Sequence, residues 1–288
     1  MTTTTLRPAT APSPATPAPA IRARGLTLSY DGRTVVEGLD LDVPARRVTV
    51  VVGPNGCGKS TVLRGLSRLL RPTRGKVHLA TSTGEHDVWS LRPKAFARQV
   101  ALLPQSPPLP EGITVVDLVG RGRHPHHTLT RRRSAADDEA VARAMHATGT
   151  LDLAERHVDE LSGGLRQRVW IALTLAQETD VVLLDEPTTY LDVAHQIDVL
   201  DLLRDLNRRN GTTVVMVLHD LNLAARYADH VVALRDGRLV GCGAPGDLVD
   251  EEFVDRVFGL GSRVIADPVT GSPLVVPTST RLQTGAPS

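Results

Sequence analysis

At 288 residues, 41% of them hydrophobic, the chain can bury a sizeable core in one large domain or two modest ones. Its 33 basic residues against 32 acidic ones leave no domain-wide basic field, which argues against a nucleic-acid partner. Two cysteines, Cys57 and Cys242, are too few for a disulfide framework and suit a reducing compartment.

Residues 1–20 are mostly Thr, Ala and Pro without an apolar run, so they read as a disordered tail and not as a signal peptide. Residues 26–30, the Asp31-Gly32 turn and residues 39–43 read as short antiparallel strands. Residues 47–52 form a β-branched buried strand, which runs through glycines into a helix with Val62, Leu66, Leu69 and Leu70 on one face. From about residue 93 to 176 helical periodicity dominates with few strand signals, which predicts a helical subdomain. Residues 181–184 and 213–218 are further buried strands, separated by a helix with Val199, Leu202, Leu203 and Leu206 at i, i+3, i+4 and i+7. This β-α-β order implies a parallel sheet. Residues 231–234 and 238–240, joined by Asp236-Gly237, predict a hairpin, and Phe253, Val257 and Phe258 a short helix. Residues 261–288 are expected as a C-terminal extension with a disordered end. No apolar run approaches the roughly 20 residues of a membrane span.

The chemistry starts at Gly53-Pro54-Asn55-Gly56-Cys57-Gly58-Lys59-Ser60-Thr61, which fits G-x-x-x-x-G-K-[ST] between a strand and a helix. Glycines let backbone N–H groups turn inward around a β-phosphate, and the helix N-terminus adds a positive dipole end. Lys59 is expected to bridge the β- and γ-phosphates and Ser60 to ligate Mg²⁺. The Cys57 thiol, near Lys59 and a helix start, is expected to ionise readily. Asp185 and Glu186 end a buried strand, which suits Asp185 as a carboxylate near the metal and Glu186 as the base that orients the attacking water. His219, at the end of the next strand, is a candidate γ-phosphate contact. These motifs alone leave nucleotide kinases, GTPases and other ATPases open.

Leu161-Ser162-Gly163-Gly164 resembles the signature sequence of ABC ATPases, and physically a serine hydroxyl with two glycine amides at a helix start suits a second anion site. The resemblance extends over about residues 21–275. It implies an α/β P-loop NTPase core with an antiparallel β subdomain and a helical subdomain, the ATPase domain covering residues 21–260. It also implies that Tyr30 stacks on adenine, that Gln105 is the Q-loop residue near Mg²⁺ and the reacting water, that Asp192 belongs to the D-loop and that His219 is the switch histidine. Two copies would pack head to tail, each signature covering the γ-phosphate held by the other copy, so that closure depends on ATP. Leu165 stands where the family usually has glutamine, which affects that side chain's contacts but not Ser162 and the backbone amides.

A narrower resemblance lies in residues 111–115, 121–127, 186–198 and 267–273, which look like the ATPases of ferric-siderophore importers; cobalamin and haem importers are close relatives. It implies ATP and Mg²⁺ as cofactors, two membrane permease subunits and, indirectly, a siderophore-binding protein as partners, and a peripheral place on the cytoplasmic face of the membrane. In that setting the loop with His124, His126 and His127 faces the membrane subunits, and Pro125 breaks regular metal-ligand spacing. The rivals are a soluble ABC ATPase acting on DNA or ribosomes, and a nucleotide-dependent regulatory module without turnover. The first lacks support from any coiled coil or second cassette in the sequence, and Glu186 argues against the second.

Overall fold

Alternating apolar and polar residues on either side of Asp31-Gly32 build the first hairpin, β1 (Pro19–Tyr30) with β2 (Arg33–Pro44). Both turn residues take positive φ, 48° and 81°, the backbone that a tight turn between twisted strands requires. Next come β3 (Val48–Val52), helix α1 (Lys59–Leu66), β4 (Arg74–Thr81) and β5 (Gly84–Asp87). The first sheet has the order β2-β1-β4-β5, antiparallel throughout. The structure, a computed structural model, describes residues 18–108, 110–127 and 134–278. Residues 1–17 of the expected tail, and 279–288 of the extension, lie outside them. β1 begins at Pro19, inside the stretch assigned to the tail, because Ala20 and Ile21 bury their side chains in the core beneath this sheet.

The middle of the chain holds α2 (Pro93–Ala97), β6 (Val100–Leu103), α3 (Val115–Gly120), a 3₁₀ turn over Arg121–His126, α4 (Ala135–Ala147) and α5 (Gly163–Ala176). Then follow β7 (Val181–Asp185), α6 (Val193–Asn210), β8 (Thr213–Val217), α7 (Leu221–Tyr227), β9 (His230–Arg235) and β10 (Arg238–Gly243). Last are α8 (Pro245–Leu248), α9 (Glu251–Phe258), β11 (Ser262–Ala266) and β12 (Pro273–Pro277). The central sheet runs β10-β9-β3-β8-β7-β6, parallel except for the β9–β10 hairpin at one edge. Its strands β3, β7 and β8 are buried on both faces. Val48, Val50 and Val52 join one core with α5, α6 and α7, while Val51 joins the other with α1 and the first sheet.

Four expectations change. The helix after the glycine loop stops at Leu66: Ser67 caps it and Arg68 takes φ 64°, so the chain leaves the axis and Leu69 is 66% exposed. The segment expected as a helical subdomain, about 93–176, also contains β6, whose Val100 to Leu103 pair in parallel register with β7 and so belong to the central sheet. A four-residue strand at a sheet edge is too short to show a period against flanking helices. The buried stripe of α6 is Val199, Leu200, Leu203 and Asn207, with Leu202 and Leu206 only half-buried at the mouth of a groove beside α4. Finally, the extension carries a hairpin, β11 with β12, that sequence patterning did not mark.

Candidate functional site

Strands β3, β7 and β8 end on the same edge of the parallel sheet, and the loops that follow them converge there, as crevices at strand C-termini do in such folds. After β3 the loop must pass within touching distance of β9. A Cβ on Gly53, at φ 147°, would lie 2.1 Å from the Leu234 carbonyl oxygen, so only glycine fits. Gly58, at φ 103°, is the N-cap of α1 and turns the chain into the helix. Lys59 is buried, and its ammonium donates to the carbonyl oxygens of Gly53 at 2.8 Å and Pro54 at 2.9 Å, which folds the side chain back across the loop.

The adjacent Ser60 hydroxyl donates to Asp185 Oδ1 at 2.8 Å. Burial pushes the Asp185 carboxyl up; the Ser60 bond opposes this, the Glu186 charge adds to it, and Arg64 and Lys59 pull it back, with burial dominant. A hydroxyl and a carboxylate side by side, with the Gln105 amide nearby, form a hard oxygen donor set that fits Mg²⁺, which keeps several waters and takes the rest from phosphate. Among the described residues no cluster of three or more His, Cys, Asp or Glu is placed to hold a metal through protein ligands alone.

Glu186 follows Asp185 with φ 55°, a left-handed backbone that swings its carboxylate into the crevice. It is 8% exposed. Its Oε2 accepts from Gln105 Nε2 at 2.7 Å and from the Thr189 hydroxyl at 3.1 Å, and its Oε1 lies 2.7 Å from His219 Nε2. A cavity of about 410 Å³ separates this cluster from the loop of Asn55, Gly56 and Gly58 to Thr61, with Val35 at its side. The expected phosphate loop and the three expected chemical residues, Gln105, Glu186 and His219, therefore line one space. Thr189 escaped the sequence reading. Its only signal is its place three residues after Glu186 in the turn that ends β7.

Other expected residues lie elsewhere. Tyr30 ends β1, its hydroxyl accepting from Arg64 Nη1 at 3.2 Å, beside α1 and outside the residues that line the cavity. Ser162 is the N-cap of α5, its hydroxyl accepting from the Leu165 N–H at 3.4 Å, and both it and Gly163 are exposed. Leu165, where glutamine is usual, packs against the main core. One turn on, Gln167 Nε2 donates to the Pro187 carbonyl at 3.0 Å, tying α5 to the loop after Glu186. Asp192 caps α6; the His195 N–H and imidazole bond to it and hold its carboxyl below the usual range.

Two expectations are corrected or bounded. Cys57 is buried, and burial outweighs the Lys59 charge, so its thiol is pushed up and not activated. His124, His126 and His127 sit in a structural junction: His126 Nε2 is 2.8 Å from the Gln177 carbonyl oxygen, the rings of His124 and His127 lie 5.8 Å apart, and Arg98 donates to Pro125. The preceding Arg123, also buried, donates to Asp137, Glu178 and the Ala176 carbonyl, which joins α4 to the end of α5.

Comparison with known families matches residues 36–189 to the family described as ABC transporter, a stretch that holds the phosphate loop, Gln105, the signature and Glu186. The achromobactin transport ATP-binding protein of Dickeya dadantii (strain 3937) is 53% identical over 258 residues, 90% of this chain and 94% of that protein. The ferric enterobactin transport ATP-binding protein of Escherichia coli (strain K12) is 52% identical over 257 residues, 89% of this chain and 93% of that protein. A solved metal-chelate type ABC transporter in an inward-facing conformation superposes with a TM-score of 0.78 at 28% identity, covering 92% of this chain and 99% of that one. With a glycine loop leading into α1, Ser162 capping α5 and Glu186 held at the end of β7, the chain belongs to the ABC transporter family as an ATP-binding subunit.

Proposed function

We propose that the chain hydrolyses ATP to drive import of a ferric siderophore. The observation that carries this reading is near-full-length similarity, above 50%, to ATP-binding proteins named for achromobactin and ferric enterobactin transport. It works as an ATP-dependent dimer on two membrane permease subunits, at the cytoplasmic face of the membrane, with a siderophore-binding protein delivering the cargo. No helix among the described residues is long and apolar enough to cross a membrane; in this reading the two permease subunits form the path for the chelate.

In the reaction, backbone N–H groups of the loop from Gly53 to Lys59 cradle the phosphates. The Lys59 ammonium exchanges its carbonyl partners for phosphate oxygens. Ser60 and Asp185, with Gln105, hold Mg²⁺, which when bound neutralises charge on the phosphates. Glu186 takes the proton of the water that attacks the γ-phosphorus, and the bond to the β–γ bridging oxygen breaks, giving ADP and phosphate. His219 and Gln105 hold the Glu186 carboxylate in place. Tyr30 stacks on adenine, and Ser162 and Gly163, exposed at the start of α5, close with the half-buried Gly164 over the nucleotide of the second copy. The D-loop Asp192 lies between the two sites.

Deletion of the gene in its source should abolish energy-dependent uptake of at least one ⁵⁵Fe-labelled siderophore while leaving cobalamin uptake intact. Normal uptake of catecholate, hydroxamate and carboxylate chelates together with lost cobalamin or haem uptake would transfer the assignment to a sister importer.

A further inference from the structure

We propose that Asn222, held by the C-terminal β11–β12 hairpin, is a positioning residue for His219. This rests on the reading of His219 and Glu186 as ATPase residues. His219 stands one residue before Asp220, the N-cap of α7, and two residues after the end of β8. Its side chain is 47% exposed and meets Glu186 at 2.7 Å, so burial does little to orient the ring and the backbone must do so. Upstream, the Leu218 N–H donates to Val51 of the central sheet at 3.3 Å. Downstream, α7 has only seven residues, too few to be stable without tertiary contacts.

The hairpin supplies part of those contacts, beside the Tyr227 bond to Asp201 of α6 and the packing of Ala224 and Tyr227 in the main core. Asn222 Nδ2 donates to the Val275 carbonyl at 3.1 Å, and the Val275 N–H donates to Asn222 Oδ1 at 2.7 Å. The side-chain amide thus pairs with β12 as a neighbouring strand would. In β11–β12 the ladder bonds fall on alternate pairs, since Asp267 donates to Ser272 and Thr278 to Gly261. The Val264–Val275 pair is therefore a non-hydrogen-bonded one, with the Val275 N–H and C=O facing away from β11. Pro273 and Pro277 bring no N–H to that outer edge, so within β12 Val275 supplies its donor, and Asn222 takes it. Val275 is itself buried in the main core, which anchors the clasp. On the other side, Asp220 Oδ1 accepts from the N–H groups of Asn222 and Leu223 at 2.8 and 2.9 Å, so the clasp fixes the turn that carries His219.

The test uses two variants that break the clasp from opposite ends. Asn222→Ala removes both bonds, and Val275→Pro removes the Val275 donor without touching a ladder bond. The full chain, co-purified from membranes with its partners, should lose turnover about 10- to 100-fold in either variant with KM for ATP unchanged. The double variant should lose no more than the worse single one, as coupled neighbours do. Independently of turnover, the His219 ring ¹H–¹³C signal of the isolated chain, assigned by its absence in His219→Ala, should shift in both variants toward its position in Glu186→Ala, where the ring has no carboxylate to meet. An unmoved ring signal, or full turnover in both folded variants, would overturn the proposal, and so would loss of the fold in both, since the clasp would then serve stability alone. If His219→Ala itself keeps full turnover, the reading of the site fails; an impaired His219→Ala beside fully active clasp variants defeats the clasp alone.

Discussion

Replacing Glu186 by glutamine separates chemistry from binding, because the structure leaves the amide one good way to sit. Oε2 receives two donors, from Gln105 at 2.7 Å and Thr189 at 3.1 Å, so the amide oxygen must take that place. The amide nitrogen then faces His219, whose neutral ring can accept at Nε2, now 2.7 Å from Oε1. All three neighbours remain paired, and the fold should persist. Glu186→Ala, in contrast, would remove the shared partner of all three, leaving water to replace it at the exposed Gln105 and His219. What the glutamine lacks is a proton acceptor for the attacking water. Turnover should fall by about 10²- to 10⁴-fold, equivalent to about 3–5 kcal/mol of transition-state stabilisation, with ATP affinity retained. Phosphate release measured beside ATP binding by calorimetry reads both quantities. Light scattering with ATP, with ADP and with neither should then detect a dimer with ATP alone, since bound ATP favours the closed state by its differential affinity. Native turnover in the folded variant would refute the role given to Glu186.

Three further outcomes follow from packing and charge. Burial pushes both thiols up, so exposure decides: Cys242 is exposed and Cys57 buried, and iodoacetamide at pH 7.5 should label Cys242 first, as peptide mass spectrometry would read; faster labelling of Cys57 would restore an activated thiol. Gly53→Ala forces a Cβ to 2.1 Å from the Leu234 carbonyl and should cost about 2 kcal/mol or more in urea unfolding, together with ATP binding. Burial works to raise the Asp137 carboxyl, but the Ser134 hydroxyl, the Arg123 guanidinium and the Ser134 N–H outweigh it and hold the group at about 2, from an ordinary 3.8. At about 1.4 kcal/mol per pH unit, this contributes about 2 kcal/mol that is complete above pH 4 and lost as pH falls toward 2. The stability gap between the native chain and Asp137→Asn should close over that window.

The sequence was most readable where the chemistry is local. From Gly53 to Thr61 a contiguous run specifies its own backbone, and Asp185-Glu186 is marked by the buried aliphatics before it. Contacts between distant segments were not readable. Gln105 and His219 are 114 positions apart, and nothing in either segment says that both engage Glu186. Cys57 was misjudged because sequence shows the nearby lysine but not the depth of burial, and burial decides the sign. The end of α1 was missed because Arg68 adopts a positive φ that arginine does not advertise, and β12 because prolines at both its ends mask a strand.

The loop from Glu186 to Asp192 links the crevice at the end of β7 to helix α5. Two non-glycine residues in it, Glu186 at φ 55° and Tyr190 at φ 66°, occupy the left-handed region at a cost of about 1–3 kcal/mol each. Such a conformation persists only if its surroundings over-determine it. Here they do: Thr189 bonds back to Glu186 through its N–H and its hydroxyl, Gln196 donates to the Leu191 carbonyl, and Asp192 caps α6. From the signature side, Gln167 donates to Pro187. Movement of α5 therefore cannot leave Pro187 where it is without breaking a hydrogen bond, and Pro187 is joined directly to the acid. Helix α5 and the Glu186 carboxylate of a single copy thus share one braced loop, while Tyr190 stands 82% exposed at its crest.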